Sequence, residues 1–363
     1  MKAHFSRDHF LRALSYVERT TAKAGALPIL SYVLIRARPG KIECVGTNLE
    51  VGITATLGAR VDEEGSIAVS GKVIHEFLHS IHDDVFELSV KEQKIVIKGK
   101  NARTTLLGVD AKDFPIIPTI TEGKVCTLRA LDLQKLLQVT HDTMALSDAR
   151  PELSGAYMRF TPNECIVAAT DSFRLVEKKI SAQASREAHV IIPRSAVIEV
   201  SRIAGDLEGD ISVFIHEHQV AFVHDSCVCI TRVIDGVYPD YTRVIPERPQ
   251  SKLLVQKGDF EQAIKLGGLF SSRISDILIR AEKDECVIQA KNSERGEVET
   301  KIPTTIQGDG FSISANFRYI LDGVKVIETD ALVIEFTSAM SPIILKPTQE
   351  KEGTQYIIMP LRT

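Results

Sequence analysis

The sequence lacks most of what an enzyme or a membrane protein would need. No run of eighteen apolar residues occurs, so no transmembrane helix is expected. The opening Met1-Lys2-Ala3-His4-Phe5-Ser6-Arg7-Asp8 has no apolar signal-peptide stretch, and the chain is expected to stay in the cytoplasm. No C-x-x-C pair occurs, which argues against a zinc ribbon or a thioredoxin-like site. There is no G-x-x-x-x-G-K-[ST] phosphate loop, no G-x-G-x-x-G after a strand and no G-x-S-x-G elbow. Basic excess is missing too. The formal net charge of −4 speaks against a protein that grips DNA by neutralising phosphates. It leaves room for one that surrounds DNA without gripping it. No aromatic-rich basic platform for single strands is visible either.

What remains is ordinary globular material. The chain has 363 residues, 44% hydrophobic and 25% charged, enough for two or three domains with sizeable cores. Cys44, Cys126, Cys165, Cys227, Cys229 and Cys286 mostly sit in alternating apolar runs such as Ile42-Glu43-Cys44-Val45. They read as small reduced hydrophobes, and Cys227-Val228-Cys229 as packing on one face of a strand.

One unit is repeated three times. Amphipathic helices are predicted to open each copy at Ser6–Val17, Ala130–Thr140 and Lys257–Leu269. Asp8, Asp132 and Asp259 sit near their starts, where acid suits the positive end of the helix dipole. A second helix is predicted in each copy at Ser70–Ile81, Pro193–Ala204 and Ser314–Ile327, with starts 123 and 121 residues apart. Between the two helices lies a turn of similar outline: Gly46-Thr47-Asn48, Thr170-Asp171-Ser172 and Lys291-Asn292-Ser293.

The rest is strand-like, as in Val85–Val90, Lys94–Lys98, Ile211–Ile215, Val220–His224, Cys227–Val233, Leu332–Phe336 and Ile343–Leu345. Short turns between successive strands predict antiparallel sheets. The fold class is α+β, three units of two helices packed on antiparallel sheets. Units end near Asp113-Phe114-Pro115 and Tyr238-Pro239-Asp240-Tyr241, giving the divisions 1–122, 123–246 and 247–363. Pro118–Gly123 and Pro246–Ser251 read as linkers.

An ordered set of short motifs resembles the bacterial sliding clamp family, the beta subunit of DNA polymerase III, over essentially the whole chain. The set runs Ala26-Leu27-Pro28-Ile29-Leu30, Asp113-Phe114-Pro115, Ala169-Thr170-Asp171 with Arg174-Leu175, and Ile192-Pro193-Arg194. It continues with Asp235-Gly236, Tyr238-Pro239-Asp240-Tyr241, Asn316 with Tyr319-Ile320-Leu321, and the tail Tyr356-Ile357-Ile358-Met359-Pro360-Leu361-Arg362.

The resemblance implies a fold with helices inside and sheets outside, and a homodimer of two chains meeting head to tail in a six-unit ring. Edge strands must then pair across the joint. Arg103–Leu107, with Arg103, Thr105 and Leu107, and Glu297–Ile302 are the candidate edges, and Leu269 and Phe270 the candidate apolar joint residues. The implied function is a processivity factor, not an enzyme, with no cofactor, no metal and no membrane partner. It encircles and slides on double-stranded DNA. It tethers the DNA polymerase III alpha subunit, the clamp loader delta subunit, and other polymerases and repair proteins through short motifs.

Carried over by position, the groove for those motifs would be lined by Leu153, Thr170, Phe173, Arg174, Leu175, Pro239, Arg243, Val244, Ile274, Asn316, Tyr319, Met340, Pro342, Ile357, Met359, Pro360, Leu361 and Arg362. Two positions depart from the family pattern: Phe173 stands where a smaller polar ring is common, and Pro342 replaces a small hydroxyl. The chain also ends in Thr363 after Arg362.

DNA-facing candidates are Lys23, Lys72, Arg150, Arg194 and Arg202. On and beside the six helices, eleven basic and eight acidic residues sum to +3, leaving −7 elsewhere. That sign suits a weakly basic lining in an acidic exterior, and sparse screened contacts permit sliding.

Two histidine groups were weighed for metal chemistry. His75, His79 and His82 share one helix face; His216, His218 and His224 lie on strand-like sequence. Neither has a cysteine partner or an H-E-x-x-H pattern, so solvated or lining histidines are the better reading. The alternatives are a histidine-ligated metal hydrolase on a β-rich scaffold, and a repeat-built protein-binding scaffold with no DNA role.

Overall fold

A computed structural model describes residues 1–21, 27–147 and 149–361. Ala26 of the first motif, Lys23 of the DNA-facing candidates, and Arg362 and Thr363 of the tail lie outside the described residues.

Six helices occur among the described residues, two per repeat: α1 (Arg7–Glu18), α2 (Gly71–His79), α3 (Ala130–Gln138), α4 (Arg194–Asp206), α5 (Lys257–Leu269) and α6 (Phe317–Val326). All six overlap the periodic segments. Several begin later than the sequence suggests, because each helix is fed by a strand. Ser6 closes the strand Lys2–Ser6, and Ser314 lies inside the strand Phe311–Asn316. Asn316 is the true cap of α6, its side chain accepting from the Arg318 amide at 2.9 Å. Along α1 the buried positions Phe10, Ala13, Leu14 and Val17 fall at three- and four-residue spacing, the stripe that packs on the sheet.

The chain divides into two compact bodies, Met1–Gln134 with Ser195–Val233, and Lys135–Arg194 with Ile234–Thr363. Three divisions fall within the middle repeat, two of them in its helices α3 and α4 and one after Val233, so its parts belong to different bodies. The first body holds one thirteen-stranded sheet. Its order is Lys124–Arg129, Asp210–His216, Gln219–His224, Cys227–Arg232, Val51–Gly58, Lys41–Thr47, Val33–Arg38, Gly65–Val69, Arg103–Val109, Lys94–Lys98, Val85–Lys91, Lys2–Ser6 and Arg60–Glu63. The second body holds a nine-stranded sheet, Ala188–Pro193, Gly155–Phe160, Glu164–Thr170, Arg174–Ser181, Thr354–Ile358, Ile343–Pro347, Ala331–Phe336, Ser251–Gln256 and Thr305–Gly308. It also holds a four-stranded sheet, Gly296–Pro303, Glu285–Asn292, Asp276–Glu282 and Phe311–Asn316. The paired strands in both bodies are antiparallel, as the short turns require, for example Cys227–Arg232 on Val51–Gly58 and Arg174–Ser181 on Thr354–Ile358.

The three expected turns are three copies of one device. Each joins the second and third strands after the first helix of its repeat. Asn48 Oδ1 accepts from the amides of Glu50 and Val51, at 3.0 and 2.8 Å. Asp171 Oδ1 accepts from Phe173 and Arg174, at 2.9 and 3.0 Å. Asn292 Oδ1 accepts from Glu294 and Arg295, at 2.9 and 3.2 Å. The structural anchors are therefore Asn48, Asp171 and Asn292, and the second and third lie one residue before the Ser172 and Ser293 counted from sequence. In the first two turns a threonine hydroxyl, Thr47 or Thr170, donates to the carbonyl of Val51 or Arg174, at 2.9 and 2.7 Å. Leu49 and Ser172 follow in the left-handed region, at φ 74° and 79°.

Successive repeats join by one rule. The strand after the turn pairs with the last strand of the next repeat: Val51 opposite Thr231, and Arg174 opposite Ile358. The flanking backbone bond recurs too, Arg232 N–H to Glu50 C=O at 3.1 Å and Met359 N–H to Phe173 C=O at 2.9 Å. In the third repeat the corresponding strand, Gly296–Pro303, ends its sheet and pairs on one side only. The last strand of the first repeat, Arg103–Val109, pairs with Lys94–Lys98 on one side. On its other side it meets Gly65–Val69 only at Gly108 and Val109, which leaves Arg103–Leu107 an open edge.

The face of the nine-stranded sheet away from its helices carries buried charge. Glu335, 6% exposed, lies between Lys346 and Lys252, at 2.7 and 3.1 Å. Burial alone would push its carboxyl up, but the two ammonium groups outweigh it and hold it below the usual range. A depressed folded-state value contributes stability above the unfolded carboxylate pKa of about 4.3, and that stability is lost as pH falls through the folded value. Thermal melts from pH 6 to 3 should therefore fall more steeply for the native chain than for Glu335→Gln. Parallel curves would show that Glu335 carries no such linkage.

Candidate functional site

The second body contains an apolar cavity of about 240 Å³ at the joint between the second and third repeats. Its floor is the cross-strand pair Leu175 and Ile357, with Leu153, Pro239, Val244 and Met359 as walls. Thr170 and Arg174 complete the expected residues that line it. Four further lining residues, Arg150, Ser172, Asp240 and Tyr241, were not in the expected groove set. Arg150, expected to face DNA, stands at this cavity and pairs with Glu152 at 3.1 Å. The turn residue Ser172 is legible from its place in Thr170-Asp171-Ser172, whereas Tyr241 carries no signal beyond its motif.

Arg174 holds the cavity to its helix. It is 13% exposed, and its Nε donates to Asp171 at 2.9 Å. Its other nitrogens donate to the Asp322 carboxylate, the Asp142 carbonyl and, at 3.4 Å, the Tyr356 hydroxyl. The guanidinium also lies 4.5 Å from the Tyr319 ring centroid. Burial would drive its pKa down, yet Tyr356, Asp171 and Asp322 raise it, so the charge is fixed. Gly323 of α6 admits the Tyr356 ring: a Cβ there would sit 2.6 Å from the ring.

The remaining groove candidates are outside the lining of this cavity. Met340 and Leu361 line a broader trough of about 750 Å³ over the four-stranded sheet, and the Leu361 amide donates to the Ser314 carbonyl at 2.8 Å. Arg243 is exposed and bonds Asp240 at 2.8 Å. Asn316 caps α6, Pro342 precedes the strand Ile343–Pro347, and Pro360 follows Met359 on the exposed tail. Phe173, Ile274 and Met340 are 61%, 59% and 67% exposed, and Val244 and Met359 are also exposed. Of these, Val244 and Met359 line the cavity and Met340 the trough, so both hollows are flanked by apolar side chains left in water.

Other candidates are placed less uniformly. Leu107 and Leu269 are 75% and 60% exposed, Phe270 is half-buried, and Arg103 and Thr105 lie on the open edge. Lys72 is exposed and pairs with Glu76 within α2. Arg194 donates to the Met144 carbonyl at 3.4 Å. Arg202 is tied to Glu199 at 2.7 Å and lies 5.9 Å from the Tyr16 ring centroid. His75 and His79 stack with ring centroids 6.1 Å apart. Among the described residues no cluster of three or more His, Cys, Asp or Glu side chains could hold a metal, and no helix is long and apolar enough to cross a membrane. All six cysteines are buried and free, and burial pushes the Cys44 thiol up to about 12.

A thrice-repeated two-helix unit, sheets shared between repeats and a pocket at a repeat joint define a clamp-type protein. The family models agree: residues 1–118, 127–240 and 242–362 match the N-terminal, central and C-terminal domains of the DNA polymerase III beta subunit. The chain belongs to that family, the bacterial sliding clamps. It is 29% identical over 376 residues to beta sliding clamps of Staphylococcus aureus and Staphylococcus epidermidis, and the Staphylococcus aureus match covers both chains entirely. Among solved structures, the Bacillus subtilis DNA polymerase sliding clamp superposes with a TM-score of 0.93 at 26% identity, covering 100% of this chain and 99% of that one. The Pseudomonas aeruginosa clamp, solved bound to griselimycin, gives 0.95 at 24% identity over the whole of both chains, a likeness of fold. The chain is accordingly a processivity factor of bacterial DNA replication and not a catalyst, which removes the hydrolase and DNA-free scaffold readings.

Proposed function

We propose that two copies of this chain close head to tail into a ring that encircles duplex DNA, slides on it, and tethers partners through the cavity floored by Leu175 and Ile357. One observation carries the ring. The joint rule is used twice within the chain and leaves one donor strand and one acceptor edge over. By the same rule, residues 295–299 would pair with residues 102–106 of a second copy. The β-turns after the preceding strands align Leu107 with Arg232, since Lys94 faces Leu107 as Gln219 faces Arg232. Two such joints are equivalent under a two-fold axis, so growth stops at the dimer. The domains run 1–122, 123–246 and 247–363 in this reading.

The tethered partners are the DNA polymerase III alpha subunit, the clamp loader delta subunit, and other polymerases and repair proteins carrying short motifs. Lys23, Lys72, Arg194 and Arg202 are the proposed DNA-facing cations, whereas Arg150, also expected to face DNA, belongs to the peptide cavity. Where such cations are already ion-paired, as Lys72 and Arg202 are, their phosphate contacts are weak, and weak contacts suit sliding. Linkage to DNA raises the effective concentration of whatever is tethered.

The direct test loads the protein on nicked circular DNA with loader and ATP, then linearises the circle. Retention on the circle and release from the linear form is the expected result. Equal retention on both would mean ordinary phosphate binding and would overturn the ring.

A further inference from the structure

We propose that Glu177, a buried carboxylate outside the pocket, is a positioning residue for partner binding: it locks Tyr241 between the floor of the pocket and its Leu153 wall. This rests on the peptide-pocket reading.

Glu177 is 2% exposed. It follows Leu175 by two residues on the strand Arg174–Ser181, so both side chains point to the same face. The neighbouring strand repeats the arrangement: Leu175 faces Ile357, and Glu177 faces Gln355. The apolar pocket floor thus passes directly into a polar row. Glu177 closes that row with three partners: Tyr241 Oη donates at 2.6 Å, Gln355 Nε2 donates at 2.6 Å, and Lys179 Nζ lies at 3.1 Å.

Tyr241 is the link to the pocket. Its ring packs against the cluster of Leu175, Ile344 and Ile357 on one side. On the other it packs against the cluster of Leu153 and Tyr238. The first cluster supplies the floor of the cavity and the second its Leu153 wall, and Tyr241 touches both. Tyr157 and Tyr238 meet its ring edge-to-face, with centroids at 6.4 and 6.3 Å. Edge contacts of this kind allow a ring to tilt; the directed bond from its hydroxyl to a fixed carboxylate does not. Burial, then the Glu177 bond, pushes the phenol pKa up, so Tyr241 stays a donor. A wall held in its binding-competent position avoids the affinity loss that a partly populated competent state would impose.

Glu335 is the natural control. It is a buried carboxylate on the same sheet, ion-paired to Lys252 and Lys346, and it does not line the pocket. A role in stability alone would make Glu177 and Glu335 variants behave alike.

The experiment measures fluorescence anisotropy of a labelled clamp-contacting segment of the DNA polymerase III alpha subunit, at a temperature well below every variant's melting point. Tyr241→Phe and Glu177→Leu should each weaken binding about five- to tenfold, and the double variant should be no weaker than the worse single one, because both break the same lock. Glu335→Gln should lower the melting temperature and leave affinity unchanged. Met359→Ala tests the pocket itself. If Met359→Ala leaves affinity unaltered, the pocket reading fails. If Met359→Ala weakens binding while Tyr241→Phe stays within twofold of native, or the two Glu177–Tyr241 losses simply add, the positioning role is wrong.

Discussion

Leu269→Asp is expected to turn the dimer into monomer, raising its dissociation constant by at least about a thousandfold. Leu269 closes α5 at 60% exposure, and Leu107 lies on the open edge strand at 75%. Within one chain neither leucine has a reason to be apolar. Burying a leucine at a joint contributes about 1.5–3 kcal/mol, and a carboxylate in its place adds the cost of desolvating a charge. Every substitution counts twice, because the closed assembly has two equivalent joints. Losing about 2 kcal/mol at each comes to about 4 kcal/mol, close to three powers of ten in affinity. Sedimentation velocity at micromolar concentration reads the result. A stable Leu269→Asp dimer would show that these edges do not form the joint.

Deleting Met359 through Thr363 is expected to abolish partner-peptide binding, weakening it more than about a hundredfold, while the dimer survives. Met359 walls the cavity, and its amide is stitched to the Phe173 carbonyl. Leu361 is stitched in the same way to Ser314, so the tail crosses between the cavity and the trough as a fixed bridge. The strand Thr354–Ile358 that precedes it keeps its pairing with Arg174–Lys178 and with Ile343–Leu345, so the body stays folded. Anisotropy with the polymerase segment and sedimentation on the same sample separate the two effects. Unchanged peptide affinity would sink the pocket assignment, and loss of the dimer would mean that the deletion unfolds more than the tail.

Much of this was legible in the sequence because it is periodic. The helices announced themselves by apolar stripes, and the three turns by an Asn or Asp able to accept from the second and third amides after it. Helix starts were misplaced where a strand runs straight into a helix. At Ser314, alternation and helical periodicity overlap for several residues, and only the cap at Asn316 decides. The middle repeat reads as one unit, yet its chain is shared between two compact bodies, since strand pairing ties one part of it to the first repeat and the other part to the third. Sequence position could bring Leu175, Ile357 and Met359 to one pocket. It could not show Arg150 at that pocket, because a lone arginine in a polar stretch reads equally well as a phosphate contact. Nor could it show that Glu177, followed by Lys178 and Lys179 in its strand, is buried: its partners Tyr241 and Gln355 lie 64 and 178 residues away.

The twice-used joint rule also says where a closed assembly yields. Each internal joint has strand pairing and, in parallel, a covalent strap: residues 110–123 after the first repeat and 233–250 after the second. The seam between two chains would have the pairing alone. Load applied to the proposed ring would be shared with peptide bonds at four of its six joints and would fall wholly on non-covalent contacts at the other two. A machine that pries the ring apart needs no knowledge of where to push, because the seam is the mechanical fuse.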